Sequence, residues 1–316
     1  MQAAFIDRYG SPESISLVDV PRPVARAGEV LVRVAAAAVT SGDARLRSGR
    51  FPPGFAIPAR LAIGLRGPRA RIPGAVFSGT IVEVGSGVSG LAIGDEVAGM
   101  AGMRLGAHAE VVAVKSTAVT AKPSTVSHTD AAAVLFGGST ALHFLRDRAK
   151  VGSGSRVLIN GASGAVGTSA IQIATHLGAE VTAVSSRQNH ELLQSLGAAH
   201  VIDYHETPLT EVPGPYDAVL DAVGNLSRSE GLRLTAPDGT AILAVASLAD
   251  TIRARGRVAA GPAPERADDF ALLLELVRSG ALSSVASVVG NLAALPEAHR
   301  RIDSGRKVGN LVIVPR

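Results

Sequence analysis

The feature that most constrains this chain is a regular alternation of strand and helix patterns in its second half. Apolar runs predict strands at residues 156–160, 180–184, 200–204, 216–223 and 239–245. Helical patterns lie between them, at residues 165–177, 188–196 and 226–235. Strands that are joined through single helices pair in parallel, with right-handed crossovers. The pattern therefore predicts an α/β fold with a doubly wound parallel sheet.

The part of the chain before this alternation has a different pattern. Short strands are predicted at 30–34, 76–84 and 110–114, between glycine and proline turns, which is typical of a β-rich domain. Residues 51–73 hold five prolines among scattered arginines, so we expect a long loop that covers or lines a site. Residues 129–149 have a helical tendency with an interruption at Gly137-Gly138. Two domains are expected, because 316 residues exceed the usual size of one hydrophobic core.

The end of the chain adds two helical patterns, at 268–278 and 295–303, and a closing strand at 308–314. Periodicity alone leaves open where this segment packs.

Composition and charge exclude several classes of function. The chain has no cysteine, which excludes disulfides, thiolate nucleophiles and zinc sites that need sulfur. Only 3% of the residues are aromatic, so base-stacking platforms are not expected. A net charge of +4 and the arginine clusters at 66–71 and 253–257 leave nucleic-acid binding as a weak alternative to solvated loops. Neither a signal peptide nor a membrane span is expected, and we predict a cytoplasmic protein.

One stretch combines an apolar strand, a glycine-rich turn and a helix start. It reads Asn160-Gly161-Ala162-Ser163-Gly164-Ala165-Val166-Gly167. Ala162 stands where the dinucleotide fingerprint has its first glycine, while Gly164 and Gly167 keep the other two. Gly164 lets the backbone approach a pyrophosphate, and the helix that follows presents free N–H groups to it. An ordinary tight turn is the alternative, but the alternating strands around it favour a Rossmann-type cofactor site.

The end of the second predicted strand indicates which nicotinamide cofactor is bound. NAD-binding domains place an acidic residue there, about 20 residues after the turn, to bind the ribose 2′-hydroxyl. This chain has Ser185-Ser186-Arg187 instead, which offers two hydroxyls and a guanidinium to a 2′-phosphate. We therefore predict NADP(H). The alternative is that Arg187 is only a surface residue of the next helix.

Several motifs together resemble the medium-chain dehydrogenase/reductase superfamily, specifically its zinc-independent quinone-oxidoreductase-like branch. The similarity covers nearly the whole chain. The motifs are Tyr9-Gly10-Ser11-Pro12, the run from Gly28 to Val34, the run from Gly74 to Gly85, Gly94-Asp95-Glu96-Val97, the run from Leu196 to Tyr204 and Lys307-Val308-Gly309-Asn310.

The resemblance implies a GroES-like β-rich domain at 1–121, a Rossmann domain at 122–260 and a return segment at 261–316 that completes the first domain. It implies an active site in the cleft between the domains and a homodimer joined through the edge of the Rossmann sheet. It also implies that further residues beyond the turn lie along the cofactor, namely Thr140, Tyr204, Gly224, Asn225, Ala246 and Asn310.

Two departures from the superfamily bear on the chemistry. The zinc alcohol dehydrogenases use a Cys and a Gly-His-Glu segment, and this chain has no Cys and reads Gly74-Ala75-Val76, so no metal site is expected. Quinone reductases of the branch resemble Asn-x-x-Asp-x-Tyr with a later Tyr. The matching residues here are Thr40, Asp43 and Arg45, with Phe51 at the later position, so both phenols are absent.

These residues predict a zinc-independent enzyme that passes hydride from NADPH to a small quinone, enone, enal or carbonyl. Thr40 is the candidate hydrogen-bond donor, with a hydroxyl satisfied by its own loop as the alternative. Asp43, Arg45, Phe51 and Phe136 are expected around the acceptor, although Asp43 is also suited to hold Arg45 or to cap the next turn. A catalytically silent NADPH-binding or scaffold protein is the alternative function.

Overall fold

The computed structural model describes residues 1–315 and confirms the predicted α/β class. Its amino-terminal part contains seven strands and two short helices. The strands are β1 (Gln2–Ile6), β2 (Ile15–Asp19), β3 (Glu29–Val39), β4 (Val76–Val84), β5 (Glu96–Met100), β6 (Val111–Lys115) and β7 (Val119–Ala121). The helices are α1 (Ser41–Ser48) and α2 (Ala56–Ile63). β3 is the centre of the main sheet, because it pairs antiparallel with both β4 and β6.

The middle of the chain forms a six-stranded sheet in which every pairing is parallel. Its strands are β8 (Arg156–Asn160), β9 (Glu180–Ser185), β10 (His200–Asp203), β11 (Tyr216–Asp221), β12 (Thr235–Leu243) and β13 (Val258–Ala260). Its helices are α3 (His128–Leu142), α4 (Ala165–His176), α5 (His190–Ser195), α6 (Arg228–Leu234) and α7 (Leu248–Arg253). The spatial order is β10-β9-β8-β11-β12-β13, so the strand order reverses between β8 and β11. A crevice for ligands opens at the carboxyl ends of strands at such a reversal.

The end of the chain returns to the first sheet, which periodicity had left open. It contains α8 (Ala267–Arg278), β14 (Ala286–Gly290), α9 (Leu295–Asp303) and β15 (Asn310–Ile313). β15 pairs antiparallel with β3, and β14 extends the sheet parallel to β15. The two domain boundaries given above stay a prediction, because α3 packs on strands of the first sheet as well as on α4.

The prediction that residues 51–73 form only a loop was wrong, because α2 lies within them. Pro58 is in the first turn of α2, where a backbone N–H has no helical partner and its absence costs nothing. The remaining residues of the helix, Ala, Ile, Leu and Arg, tolerate or favour helical geometry. None of its residues is buried, so no apolar periodicity marked it in the sequence.

The predicted interruption at Gly137-Gly138 was also wrong, since α3 runs through both glycines and continues as a π-helical segment, His143–Arg148. The glycines serve close packing instead. A Cβ atom on Gly137 would lie 2.2 Å from the carbonyl oxygen of Ala165, and one on Gly138 would lie 2.7 Å from the Leu273 side chain. Small residues here let α3 approach the turn before α4, which forms one wall of the site.

Candidate active site

A cleft of about 580 Å³ lies between the two sheets, which is within the usual range for small-ligand sites. One wall comes from the end of β3 and the start of α1, and the other from the turn between β8 and α4. The residues after β11, β12 and β13 and the segment before β15 complete it. Of the residues predicted from the sequence, those that line it are Thr40, Arg45, Phe136, Thr140, Gly161, Ser163, Gly164, Ala165, Val166, Gly167 and Asn310.

The turn after β8, residues 161–167, has a geometry suited to binding a phosphate group, and we call it the phosphate turn. Gly161 has φ +76°, a conformation that favours glycine, and the Gly164 N–H donates to the Gly161 carbonyl at 3.1 Å. Ala162 is fully buried under the turn, so it supports the turn and does not line the cleft. Gly164 is the N-cap of α4 and provides no side-chain cap. The first N–H groups of α4 are therefore free to bind an anion.

The carboxyl end of β9 carries the residues predicted to select the cofactor. Ser185 is buried, whereas the Arg187 side chain is exposed and forms an ion pair with Glu206 at 3.1 Å. Tyr204 lies in the same loop as Glu206, with its ring 4.3 Å from that of His205. The Ser186 hydroxyl accepts from Asn189 at 3.1 Å. Sequence reasoning missed Glu206, because the fold brings it to Arg187 from 19 residues away.

A buried carboxylate shapes the loop that carries Gly224 and Asn225. Asp221, at the end of β11, is 1% exposed and accepts from the backbone N–H groups of Val223, Gly224 and Leu226. Asn160 at the end of β8 donates to both Asp221 and Asn225, at 2.9 and 2.6 Å. These bonds end β11 at Asp221, two residues before the predicted end, and hold the loop beside the phosphate turn.

Thr40 lines the cleft, but its hydroxyl is already bonded within its own turn. The Thr40 Oγ1 donates to Asp43 Oδ2 at 2.7 Å and accepts from the Asp43 N–H at 3.3 Å. Asp43 also accepts from the N–H groups of Thr40 and Gly74, so its carboxylate receives three hydrogen bonds. These contacts form a capping box at the start of α1. The geometry thus favours the structural alternative for Thr40, and the capping alternative for Asp43 over an ion pair with Arg45.

Arg45 faces the cleft without a partner. Its side chain is partly buried and forms no hydrogen bond or ion pair with any of residues 1–315. Burial lowers the pKa of the Arg45 guanidinium below its ordinary value, which is the expected effect of desolvating an unpaired cation.

Two further charged residues in the cleft wall were missed by sequence reasoning. Lys307 pairs with no carboxylate in the described chain, and its ammonium donates to the Gly309 carbonyl. Burial lowers the pKa of Lys307 to about 8. On another side of the cleft, burial raises the pKa of the Glu265 carboxyl, although a hydrogen bond from the Gly102 backbone partly opposes this. Lys307 is the first residue of the motif Lys307-Val308-Gly309-Asn310, but only Asn310 of that motif was predicted to lie along the cofactor.

Lys307 is held beside the phosphate turn by backbone contacts. The Gly309 N–H donates to the Ser163 carbonyl at 2.9 Å, and Gly309 forms a parallel β-bridge with Gly164. Asn310 donates its side-chain amide to the Ser284 carbonyl at 2.7 Å. The segment before β15 therefore reaches from the first sheet to the start of α4.

The remaining predicted residues lie outside the cleft lining. Phe51 is partly buried, and the nearby Pro53 carbonyl accepts from Leu248 at 2.9 Å, so this part of the loop packs on α7. The others, which border the carboxyl edge of the parallel sheet, are Ser185, Ser186, Arg187, Tyr204, Gly224, Asn225 and Ala246.

Comparisons with known proteins agree with this architecture. A family model described as "Alcohol dehydrogenase GroES-like domain" matches residues 26–124, and one described as "Zinc-binding dehydrogenase" matches residues 196–313. A mitochondrial NAD(P)H oxidoreductase of Bos taurus is 30% identical over 99% of this chain and 89% of its own length. A quinone oxidoreductase structure from Coxiella burnetii has a TM-score of 0.87 and 30% identity, covering 100% of this chain and 99% of that one. The chain belongs to the medium-chain dehydrogenase/reductase superfamily, in its quinone-oxidoreductase-like branch.

Some curated relatives match this quinone-oxidoreductase-like chain over part of their length only. A 2-methylene-furan-3-one reductase of Solanum lycopersicum is 35% identical over 71% of this chain, and the match spans 57% of that relative. The chain spans less than two thirds of the length of the first curated relatives it matches.

Within residues 1–315, no group of three or more His, Cys, Asp or Glu side chains is arranged to hold a metal ion. No helix in the same range combines the length and the apolar character needed to cross a bilayer.

Proposed function

We propose that this chain is a zinc-independent, NADPH-dependent oxidoreductase that reduces a small quinone, enone, enal or carbonyl compound. The observation that carries the proposal is the uncapped start of α4, which faces the cleft beside the partly buried side chain of Lys307. Both features are suited to a pyrophosphate. The names of the oxidoreductase relatives support the same class of reaction.

The position of the uncapped start of α4 in the cleft supports a cofactor there. Side chains of Thr40, Ser127, Ser227 and Ser247 cap α1, α3, α6 and α7, whereas α2, α5, α8 and α9 have no side-chain cap either. At α4 the equivalent residue is Gly164, and a Cβ added there would have only the Gly161 oxygen near it, at 3.5 Å. The space that a capping side chain would fill is thus open to the cleft. Phosphate oxygens are the natural acceptors for the N–H groups left there.

The remaining cleft residues position the two reactants. We infer that Ser163 to Val166, Lys307 and Asn310 hold the pyrophosphate, while Ser186, Arg187 and Tyr204 hold the 2′-phosphate end. When bound, NADPH supplies the hydride. The apolar side chains of Met100, Phe136 and Phe144 face the acceptor end of the cleft and exclude water.

An enone or quinone suits a site of this composition. The β carbon of an enone receives the hydride and its α carbon a proton from water, so the C=C bond becomes single as NADPH is oxidised to NADP⁺. The negative charge that develops is delocalised, so a hydrogen-bond donor is sufficient to stabilise it. Thr40 is a weaker candidate for that donor than the sequence indicated, because its proton is directed to Asp43.

Loss of NADPH absorbance with a panel of quinones and enals tests the proposal. Turnover with any member of the panel is the expected result. Binding of NADPH at micromolar concentration without turnover of any acceptor would instead support a silent NADPH-binding or scaffold protein.

The cofactor preference should depend on Arg187 and its partner. Arg187→Ala is expected to raise the NADPH dissociation constant about 30-fold and to leave that for NADH nearly unchanged, because only NADPH has the 2′-phosphate. Glu206→Gln should tighten NADPH binding several-fold, because it removes the carboxylate that competes for Arg187. Titration of both cofactors against both variants measures this. Equal affinity of the unaltered chain for NADH and NADPH would contradict the assignment.

Affinity for NADPH should fall at alkaline pH through Lys307. The pKa of Lys307 is about 8 without cofactor, and a bound pyrophosphate raises the pKa by stabilising the charged form. Lys307 therefore adds no pH dependence to binding below about pH 8. Above it the dissociation constant should increase about tenfold per pH unit, since a proton must be taken up. Lys307→Arg should remove this dependence and keep tight binding, whereas Lys307→Met should remove it and weaken binding. If the pH dependence persists in Lys307→Met, another titrating group causes it.

We infer a homodimer joined through an edge of the parallel sheet, since each of its edge strands, β10 and β13, pairs with one neighbouring strand only in the described chain. The cytoplasmic location stays a prediction. Nucleic-acid binding has less support, because Arg71 is paired with Asp7 and Arg257 donates to the Gly239 carbonyl.

A further inference from the structure

The three arginines at the end of α1 have different surroundings. Arg47 is 1% exposed and fully bonded, to the Gly10 carbonyl at 2.7 Å, to His299 Nδ1 at 3.4 Å and to Asp303 at 2.5 Å. Arg50 is exposed to solvent. Arg45 alone is partly buried, unpaired and directed to the cleft.

A partly buried guanidinium without a counter-ion carries a desolvation cost, which a ligand of opposite charge offsets. The buried carboxylate of Asp43, two residues away, accepts hydrogen bonds from Thr40 and Gly74 and forms none with Arg45. Glu265 lines the same cleft, but its carboxylate lies beyond ion-pair distance of Arg45. A planar guanidinium binds a carboxylate through two parallel hydrogen bonds, which replace the hydrogen bonds to water that burial removes.

The position of Arg45 assigns it to the acceptor and not to the cofactor. Arg45 lies in α1, after Thr40 to Gly42, whereas the residues inferred to hold the cofactor belong to the parallel sheet or to the segment before β15 that is bonded to the start of α4. The cofactor phosphates already have Lys307 and the start of α4. A neutral quinone carries no charge before the reaction that could pair with Arg45, whereas a carboxylate does.

We propose that the acceptor carries a carboxylate, and that Arg45 binds it so that the conjugated C=C bond lies in the acceptor end of the cleft. The substrate class is thus an acidic enone or an unsaturated oxo acid. This inference rests on the proposed function. Arg45 is a specificity-determining residue in this scheme, and the reaction at the C=C bond is the one described above.

Acetylacrylate and its methyl ester test the inference, because they share the reacting enone and differ only in the carboxylate. The intact chain is expected to reduce acetylacrylate with at least about tenfold higher kcat/KM than the ester. Arg45→Met should lower kcat/KM for the acid about 30-fold, mainly through KM, and change that for the ester less than about threefold. Arg45→Lys should restore part of the loss. Arg50→Met removes an exposed arginine from the end of the same helix and should behave like the intact chain.

A binding measurement keeps the inference separate from the proposed function. Levulinate and methyl levulinate, the two reduction products, are titrated calorimetrically into the NADP⁺-loaded protein and its Arg45→Met variant. Preference of the intact chain for levulinate, lost in Arg45→Met, supports the inference even if no acceptor is turned over, a result that would count against the proposed function alone. Equal affinity for the two products, or equal loss of acid and ester reduction in Arg45→Met, would overturn it. Thermal unfolding of Arg45→Met checks that the fold is kept, as expected for a side chain without bonds to the chain.

Discussion

Replacing Gly167 with alanine is expected to abolish measurable NADPH binding and to lower the free energy of unfolding by about 3 kcal/mol. A Cβ atom at this position would lie 2.4 Å from the Gly161 oxygen and 2.6 Å from the backbone of Ala162. Both contacts are with backbone, which cannot rotate away. The helix α4 would have to move off β8, and its first N–H groups would leave the cleft.

Two other glycines serve as matched controls for this result. Gly164→Ala should keep the stability of the intact chain, because the nearest atom to its Cβ is 3.5 Å away, but weaken NADPH binding at least about tenfold by filling the phosphate position. Gly152→Ala should change neither quantity, since nothing lies within 4 Å of its Cβ. Denaturant unfolding and fluorescence titration give the two readouts. If both Gly164→Ala and Gly167→Ala bind NADPH with full affinity, the phosphate turn does not bind the cofactor.

Replacing Asp221 with alanine should destabilise the protein by about 3 kcal/mol and weaken cofactor binding as well. The change leaves the N–H groups of Val223, Gly224 and Leu226 without their acceptor, together with the amide of Asn160. Both the loop after β11 and the end of β8 lose their fixed positions. The part of the cleft wall beside the phosphate turn should then become mobile.

The contribution of the Asp221 charge to the free energy of unfolding can be separated from that of its side-chain volume. Asp221→Asn keeps the size and one acceptor oxygen, so about half of the destabilisation is expected. Asp238→Ala removes an exposed aspartate from β12 in the same sheet and should change stability by less than about 0.5 kcal/mol. Urea unfolding of the three variants measures these differences. A loss below about 1 kcal/mol for Asp221→Ala would mean that water replaces the carboxylate in the folded protein.

The parts of the fold that were predicted correctly are those determined by local sequence. Strands β4 and β8 and helix α9 have the predicted bounds. Each strand is a short apolar run between turn residues, and α9 buries one face that carries Leu295 and Ala298. The turn from Gly161 to Gly167 was predicted from the spacing of its glycines, which is also a local feature of the sequence. Helix α2 was missed because it buries no residue and so has no apolar face to detect. The glycines of α3 were misread, since their effect depends on which element packs against them.

The sequence by itself determined the fold class, the superfamily and the position of the phosphate turn, since all three follow from residues close together in the chain. Only the tertiary structure decided which polar groups remain free. Arg47 forms an ion pair with Asp303 across 256 positions and Thr40 is bonded to Asp43, whereas neither Arg45 nor Lys307 meets a carboxylate among residues 1–315. The charges are equally visible in the sequence, but an ion pair depends on the distance between two side chains, and for residues far apart in the chain that distance is set by the packing of the two sheets.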